Sequence, residues 1–374
     1  MKRETRIPRP DWPRKVEELG FHFHTMDGVY WDERACYRFS AAQVDRLEAA
    51  TAELQSRCIE AAGKVIESGD FARFHIPEPF HKLVRDSWED DEKSLYGRFD
   101  LSWNGEGEPR LLEYNADTPT ALLEASVVQW YWLQDAFPAA DQFNSIHEKL
   151  IARWKEIAVD VPGNRLVHFT GVADAPEDQG NLDYLRDTAT QAGLDARALD
   201  IADVGWNGKT FTDLDEQPIA VLFKLYPWEW LAREEFGANL LKRTTRVIEP
   251  AWKMVLSNKA ILPVLWEMFP DHPNLLAASF EPGRFTTDFV KKPLYSREGA
   301  NVSIRSGDRL IEEPGEYGEE GFIWQAFHEL PRFGANYTVI GSWIIGEEPA
   351  GIGIREDSSP ITKNSSRFVP HYFA

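Results

Sequence analysis

Arg98-Phe-Asp-Leu-Ser-Trp-Asn-Gly-Glu-Gly-Glu-Pro-Arg-Leu-Leu-Glu-Tyr-Asn-Ala-Asp117 is the stretch on which the reading of this chain turns. Side chains alternate faces along a strand, so Arg98, Asp100 and Ser102 share one face of the first arm, and Leu111, Glu113 and Asn115 share one face of the second. Asn104-Gly-Glu-Gly107 between them is turn chemistry that folds one arm onto the other. If the two faces coincide, a cation, two carboxylates and an amide oxygen converge beside an apolar opposite face. The plain alternative is an exposed hairpin with ordinary surface charges, which is how a single Asp or Glu is usually found.

Hard oxygen donors of this kind suit Mg²⁺, which takes one or two carboxylates and leaves its other positions to water and substrate phosphates. Asp100, Glu113 and Asn115 are therefore the expected metal ligands. An arginine beside them points to phosphoryl chemistry.

At 374 residues, 43% of them hydrophobic, the chain is long enough for two or three domains with substantial cores. Lys and Arg total 41 against 61 Asp and Glu, a formal charge of −20, which argues against a nucleic-acid partner and makes a cationic ligand such as an amine easier to accept. The two cysteines, Cys36 and Cys58, indicate neither a disulfide framework nor a zinc site. A charged N-terminus with no apolar segment after it, and no apolar run long enough to span a bilayer, lead to the expectation of a cytoplasmic protein without a membrane partner.

Ser40-Ala-Ala-Gln43 has capping-box spacing, and Val44, Leu47, Leu54, Cys58, Ala62 and Val65 follow at helical intervals, predicting a long packing helix. Thr118-Pro119 predicts a helix over 120–133 whose positive end points at the metal site. From Arg165 onward the pattern becomes that of a small α/β layer: a strand at 166–170, a helix over 181–192 and a strand at 219–225. A helix over 257–269 comes next, then strands at 288–294, 301–305, 322–327, 337–345 and 351–355.

Lys292 closes one of these strands ahead of a loop with Gly299 and Ala300. Small residues there let backbone N–H groups approach phosphate oxygens while the lysine supplies a point charge, although the spacing is not that of a P-loop. Phe322 to Phe327 enters a linker of the kind that contacts adenine. Gly351, Gly353, Arg355 and Asp357 alternate onto one face, adding a second guanidinium and a carboxylate.

Arg98-x-Asp100, Glu113-Tyr-Asn115-Ala-Asp117, Lys292-Pro with Arg297-x-Gly299-x-Asn301-Val, the Gln325 strand and Arg355-x-Asp357 together resemble the synthetase part of the glutathionylspermidine synthase family, an ATP-grasp ligase family, and the likeness runs in order from about residue 10 onward. The resemblance implies an α+β and α/β multidomain fold, an ATP-grasp-like synthetase with mixed and antiparallel sheets. Its expected divisions are an N-terminal helical region over 1–160 whose hairpin 98–117 belongs to the central site, a small α/β substrate-side region over 161–250, and a nucleotide-binding region over 251–374 with a phosphate lid loop. It further implies ATP and Mg²⁺, as two ions, as cofactors, with Asp100, Glu113 and Asn115 as metal ligands and Arg98 as the residue that contacts the γ-phosphate and stabilises the transition state. Lys259 and Lys292 fall at ATP-binding lysines, Gly299, Ala300 and Asn301 at the phosphate loop, and Gln325, Ala326, Phe327 and His328 at the adenine hinge. Pro360, Ile361 and Thr362 fall at a further ATP-contacting segment, and Arg355 at an arginine close to the reacting carboxylate. Thr118 stands where a serine lies near glutathione, and Trp228-Glu229 resembles part of the acceptor region.

The expected reaction is an ATP-dependent carboxylate–amine ligation through an acyl phosphate, joining a donor such as a thiol peptide to an acceptor such as a polyamine, with Glu229 or Asp117 orienting the amine. Tyr295 to Gly299 is the expected lid. Two other readings stand beside it. In one, the protein binds nucleotide and has lost ligation. In the other it is a cysteine amidase using Cys36 with His22 or His24, for which no orienting third group is apparent.

Overall fold

The computed structural model describes all residues except 26, 27 and 164. The quoted stretch folds as a hairpin of Tyr96–Ser102 and Arg110–Asn115. This hairpin forms one side of an antiparallel six-stranded sheet, which continues through Asn336–Ile345, Glu348–Asp357 and Arg367–Val369, with the short Arg332–Phe333 pairing Asn336–Ile345 as the sixth strand. Phe99, Leu101 and Tyr114 point to the buried side, where the Phe99 and Tyr114 rings stack 4.0 Å apart. Burying a ring such as that of Phe99 contributes on the order of 2–3 kcal/mol.

What covers that side is the helix Ala41–Ser68, and its capping box forms as the spacing requires: Gln43 N donates to Ser40 Oγ and Ser40 N donates to Gln43 Oε1. Val44, Leu47, Leu54, Cys58, Ala62 and Val65 are all buried against the sheet and the neighbouring helix Ile261–Met268. Two polar contacts set the helix on the sheet: Thr51 Oγ1 with Ser342 Oγ at 2.7 Å, and Tyr114 hydroxyl donating to Gln55 Oε1 at 2.9 Å.

Among the described residues three larger sheets and a two-stranded ribbon, Gly205–Trp206 with Phe211–Thr212, accompany this one. A parallel sheet orders Arg246–Ile248, Val221–Lys224, Leu166–Gly171 and Asp195–Asp200, with the helix Pro176–Gln191 as a crossover. An antiparallel five-stranded sheet orders Ala278–Ser279, Phe322–Ala326, Asp288–Pro293, Ser303–Ser306 and Arg309–Glu312. A small mixed sheet brings Ala35–Phe39 between Lys2–Thr5, antiparallel, and His371–Phe373, parallel. The fold is therefore α+β with mixed and antiparallel sheets, as expected. Among the described residues, no helix is long and apolar enough to cross a membrane.

Three expectations are corrected. The helix after the hairpin begins at Leu122 and not 120; Ala121 has φ +64°, and a π-helical turn, Glu124–Val128, precedes the α-helix Gln129–Ala136. Its first amide does not face the metal hairpin freely, because Leu122 N donates to Asn181 Oδ1 at 2.9 Å. The helix expected over 257–269 is two pieces, Lys253–Leu256 and Ile261–Met268; Asn258 breaks it by accepting from Ala260 N and donating to Phe74 O.

Candidate active site

Asp100 pairs directly with Glu113 and Arg98 with Asn115, so the two polar faces of the hairpin do coincide. The phase then breaks: a bulge between Asp100 and Leu101 skips Leu112 and puts Leu101 opposite Leu111, leaving Leu111 buried, while Ser102 is buried and does not line the adjoining cleft. The expectation that Leu111 would share that face fails at this bulge. Irregular pairing leaves carbonyls free for side chains here, since Leu112 O accepts from Lys292 Nζ at 2.7 Å and Leu111 O from Gln325 Nε2 at 3.1 Å. Lys292 Nζ also donates to Gln325 Oε1 at 2.8 Å, which ties the five-stranded sheet to the hairpin.

Arg98 is held at each arm. Nε and Nη2 pair with Asp100 at 2.8 and 3.2 Å, and Nη1 donates to Thr120 O at 2.7 Å. Gly341 lies across from Asp100, and a Cβ there would stand 2.8 Å from Arg98 Cδ, so the arginine stem depends on that glycine. Asn115 Nδ2 lies 3.4 Å from both Asp100 Oδ2 and Glu113 Oε1, and a half-turn of the amide exchanges its nitrogen for its oxygen at the same place. Burial disfavours charge on Glu113, but Lys259, Lys292 and Arg98 outweigh it and hold the carboxyl down to about 2. Asp100 is pushed up by burial, against the pull of Arg98. Burial also lowers Lys292, to about 8.

These groups form one wall of a cleft of about 470 Å³, a size suited to a substrate-sized ligand. Arg98, Asp100, Glu113, Asn115, Lys292 and Arg355 all line it, and so does Thr118. Gln325, Ala326, Phe327 and His328 lie along a second wall, while Gly299 and the segment Pro360, Ile361, Thr362 close it from above. Gly299 has φ +73°, and a Cβ on it would come within 2.4 Å of Ile361 Cγ2. The loop and the 360–362 segment thus meet only because residue 299 has no side chain.

Asp117, Glu229, Lys259, Ala300 and Asn301 do not line the cleft among the described residues. Asp117 is buried beneath it, accepting from Lys224 Nζ and from Trp228 N at 2.9 Å, which corrects the expectation that it meets a substrate. Glu229 lies behind Arg297, its Oε1 3.6 Å from the guanidinium. Lys259 faces Glu113 at 3.3 Å and donates to Ser296 O at 2.9 Å, so it acts on the site through the hairpin carboxylate. Asn301 Oδ1 accepts from Tyr317 N at 2.8 Å. Tyr295 is buried, with its hydroxyl on Phe74 O, so the loop facing the cleft starts only at Ser296.

Sequence reasoning missed an acidic end of the cleft formed by Glu177, Asp178 and Glu298, with Arg297, Tyr226 and Trp230 beside it. Burial and the neighbouring Glu177 push Asp178 up to about 6, and burial raises Glu298. Arg297 Nη1 donates to Thr118 Oγ1 at 2.9 Å, and its guanidinium lies 5.4 Å from the Trp230 ring. Ala175-Pro-Glu-Asp178 does carry a signal, a proline and two acids opening a helix, but such a start is equally the mark of any stable helix.

The amidase reading fails on Cys36, which is fully buried; burial pushes its thiol up to about 12, far from a thiolate at neutral pH.

A family model described as glutathionylspermidine synthase preATP-grasp matches residues 3–374. A Haemophilus influenzae protein named as a candidate acid–amine ligase is 44% identical over 393 residues, covering all of both chains. Trypanothione synthetase from Crithidia fasciculata is 30% identical over 355 residues, covering 85% of this chain and 53% of that protein, so the chain spans about half of that relative's length. Among solved structures, a glutathione synthetase-like effector from Globodera pallida superimposes with a TM-score of 0.57 at 10% identity over 97% of this chain and 96% of that one, a likeness of fold.

Proposed function

The chain belongs to the glutathionylspermidine synthase preATP-grasp family, and from that premise we propose that it is an ATP- and Mg²⁺-dependent carboxylate–amine ligase that works through an acyl phosphate. The observation that supports this most is the convergence of Arg98, Asp100, Glu113, Asn115 and Lys292 on one wall of a single cleft. Binding of nucleotide alone would not need Arg98 fixed on three hydrogen bonds beside the two carboxylates.

The donor set fits Mg²⁺. Asp100, Glu113 and the Asn115 oxygen are hard ligands at one spot; among the described residues no group of three or more His, Cys, Asp or Glu could hold a metal ion, so an ion here would rest on two carboxylates and an amide and take its other positions from water and phosphate. Held there, the ion would neutralise phosphate charge. Lys292 adds a cation from the opposite sheet, and Gly299 allows backbone N–H groups to approach the phosphates. Gln325 to His328 supply the adenine wall. The donor carboxylate, steered by Arg355, attacks the γ-phosphorus and displaces ADP; Arg98 stabilises the charge that develops, and the acyl phosphate then reacts with an amine and releases phosphate. Ser296 to Gly299 exclude water from that intermediate.

The acceptor belongs at the acidic end, where Glu177, Asp178 and Glu298 attract a cationic amine and Trp230 and Tyr226 offer ring faces. On this reading the donor is a thiol peptide or amino acid, the acceptor a polyamine, and the site of action the cytoplasm. Residues 1–160, 161–250 and 251–374 then divide the work among hairpin, acceptor side and nucleotide side.

The test is release of ADP and phosphate from Mg·ATP with thiol peptides and amino acids crossed against polyamines. Turnover that requires one donor and one acceptor together supports the ligase. Tight Mg·ATP binding without turnover on any pair would favour a nucleotide-binding protein that no longer ligates.

A further inference from the structure

Glu124 is fully buried on the π-helical turn that follows the hairpin. One of its oxygens accepts from the Tyr30 hydroxyl at 2.6 Å, and the other, Oε2, has no hydrogen-bond partner. A buried carboxyl with an open oxygen is costly unless it has a use. π-Helical turns are frequent at functional sites.

The neighbour that matters is Glu177. It lines the acidic end of the cleft, it is 8% exposed, and its Oε1 also lacks a partner. Burial first, and then repulsion from Glu177, push Glu124 up to about 7, while Tyr30 and Arg355 pull the other way. Asp178 and Glu298 lie next to Glu177 on the cleft side, each feeling its charge. Two carboxyl groups, one at the cleft and one sealed behind it, thus each hold a buried oxygen that no protein donor occupies, and the charge of Glu177 reaches Glu124.

Resting on the ligase reading, we infer that Glu124 takes up, through Glu177, the proton that the acceptor ammonium must lose before its nitrogen can attack. The ammonium nitrogen gives one proton to the Glu177 carboxylate, from which it passes to Glu124. The freed lone pair forms the C–N bond while the C–O bond to phosphate breaks. The second proton leaves with the phosphate group, which departs as hydrogen phosphate, and Glu124 returns its proton to solvent after product release. Glu124 never touches substrate and is a positioning residue for the proton.

Two measurements on Glu124→Gln test this. The substitution keeps an acceptor for the Tyr30 hydroxyl and removes the ability to take a proton. In infrared difference spectra, a protonated-carboxyl band that titrates near neutral pH in the wild type should vanish in the variant; its absence from the wild type overturns the inference whatever the substrates are. In turnover with glutathione as donor, the variant should lose about 100-fold with spermidine at pH 7, the scale of general-base help, and recover as pH rises and the amine deprotonates unaided. With hydroxylamine, already neutral at pH 7, hydroxamate formation should change by no more than about threefold, because no proton has to be taken first. Equal losses with both acceptors would show a structural role and overturn the inference alone. Failure of the wild type to use either acceptor overturns the ligase reading for this donor, and the infrared band then decides the inference.

Discussion

The two ends of the cleft are built in opposite ways. At the hairpin end each charged side chain has partners: Arg98 holds Asp100 and Thr120 O, Lys292 holds Leu112 O and Gln325, and Lys259 holds Glu113. At the acidic end, Glu177 and, sealed behind it, Glu124 each keep an oxygen without a partner, and Asp178 and Glu298 are raised by burial. One end is finished before any ligand arrives. The other carries unmatched negative charge that a cation completes, which is the difference expected between a site for transition-state charge and a site for capture of an amine.

The sharpest way to break this comparison is Arg98→Ala. It should lower ligase turnover by about 1,000-fold while leaving nucleotide affinity nearly unchanged, because the charge it meets develops in the transition state. A large rise in nucleotide Kd with a modest fall in kcat would mean that the hairpin end is also a capture site. Glu177→Gln comes next: KM for a polyamine should rise by about 10-fold or more, from loss of a charge-assisted contact, with KM for ATP unmoved. A comparable effect on ATP would erase the division between the two ends.

Acid should weaken the acceptor end first. Asp178 titrates near 6, above its ordinary value, so polyamine affinity should fall as pH drops from about 7 to 5, the direction in which the carboxylate is lost. Glu113 stays ionised through that range, so Mg·ATP binding should hold. Parallel measurement of both Kd values against pH separates the two. The smallest effect belongs to the link between the ends: Thr118→Ala removes the hydrogen bond from Arg297 and should cost about 1 kcal/mol, a fewfold loss in kcat/KM for the donor.

A control lies outside the cleft. His371 is fully buried with Nδ1 on Gln129 Oε1, and burial lowers it to about 3. The unfolded chain takes the proton near 6.5 and the folded chain does not, so stability is lost as pH falls below 6.5, by up to about 1.4 kcal/mol per pH unit. Denaturant midpoints of His371→Leu between pH 7 and 5 should show a shallower slope than the wild type.

The comparison also explains what could be read from sequence. The hairpin end is local: the period of two and one turn place Arg98, Asp100, Glu113 and Asn115 together, and a strand has little freedom to do otherwise. Only the bulge that turned Leu111 inward escaped, because nothing in Pro109-Arg-Leu-Leu-Glu113 announces where a register shifts. The acceptor end draws Thr118, Glu177, Trp230 and Glu298 from four separate segments, and no spacing in the chain connects them. Asp117 was misjudged for the same reason, since Lys224 and the Trp228 amide that occupy it lie more than a hundred residues away. The long helix and the longer strands of both large sheets were legible, but the short strands Ala278–Ser279, Arg309–Glu312, Arg332–Phe333 and Arg367–Val369 were not, and the break at Asn258 and the π-helical turn were decided by distant partners.

The small mixed sheet sets a condition on how the protein comes into being. Ala35–Phe39 gains its second neighbour only when His371–Phe373 arrives, and Arg3 is anchored on Glu356 across an equally long span. A nascent chain therefore carries an open strand edge until residues 371–373 have been made, with the cationic Arg3 and Arg38 at its margin to discourage pairing with other chains. Contacts of this sequence separation are slow to form. A chain that stops before residue 371 leaves that edge exposed, and one that stops before residue 356 also leaves Arg3 without its partner, so truncated molecules are marked by the same feature that locks the sheet.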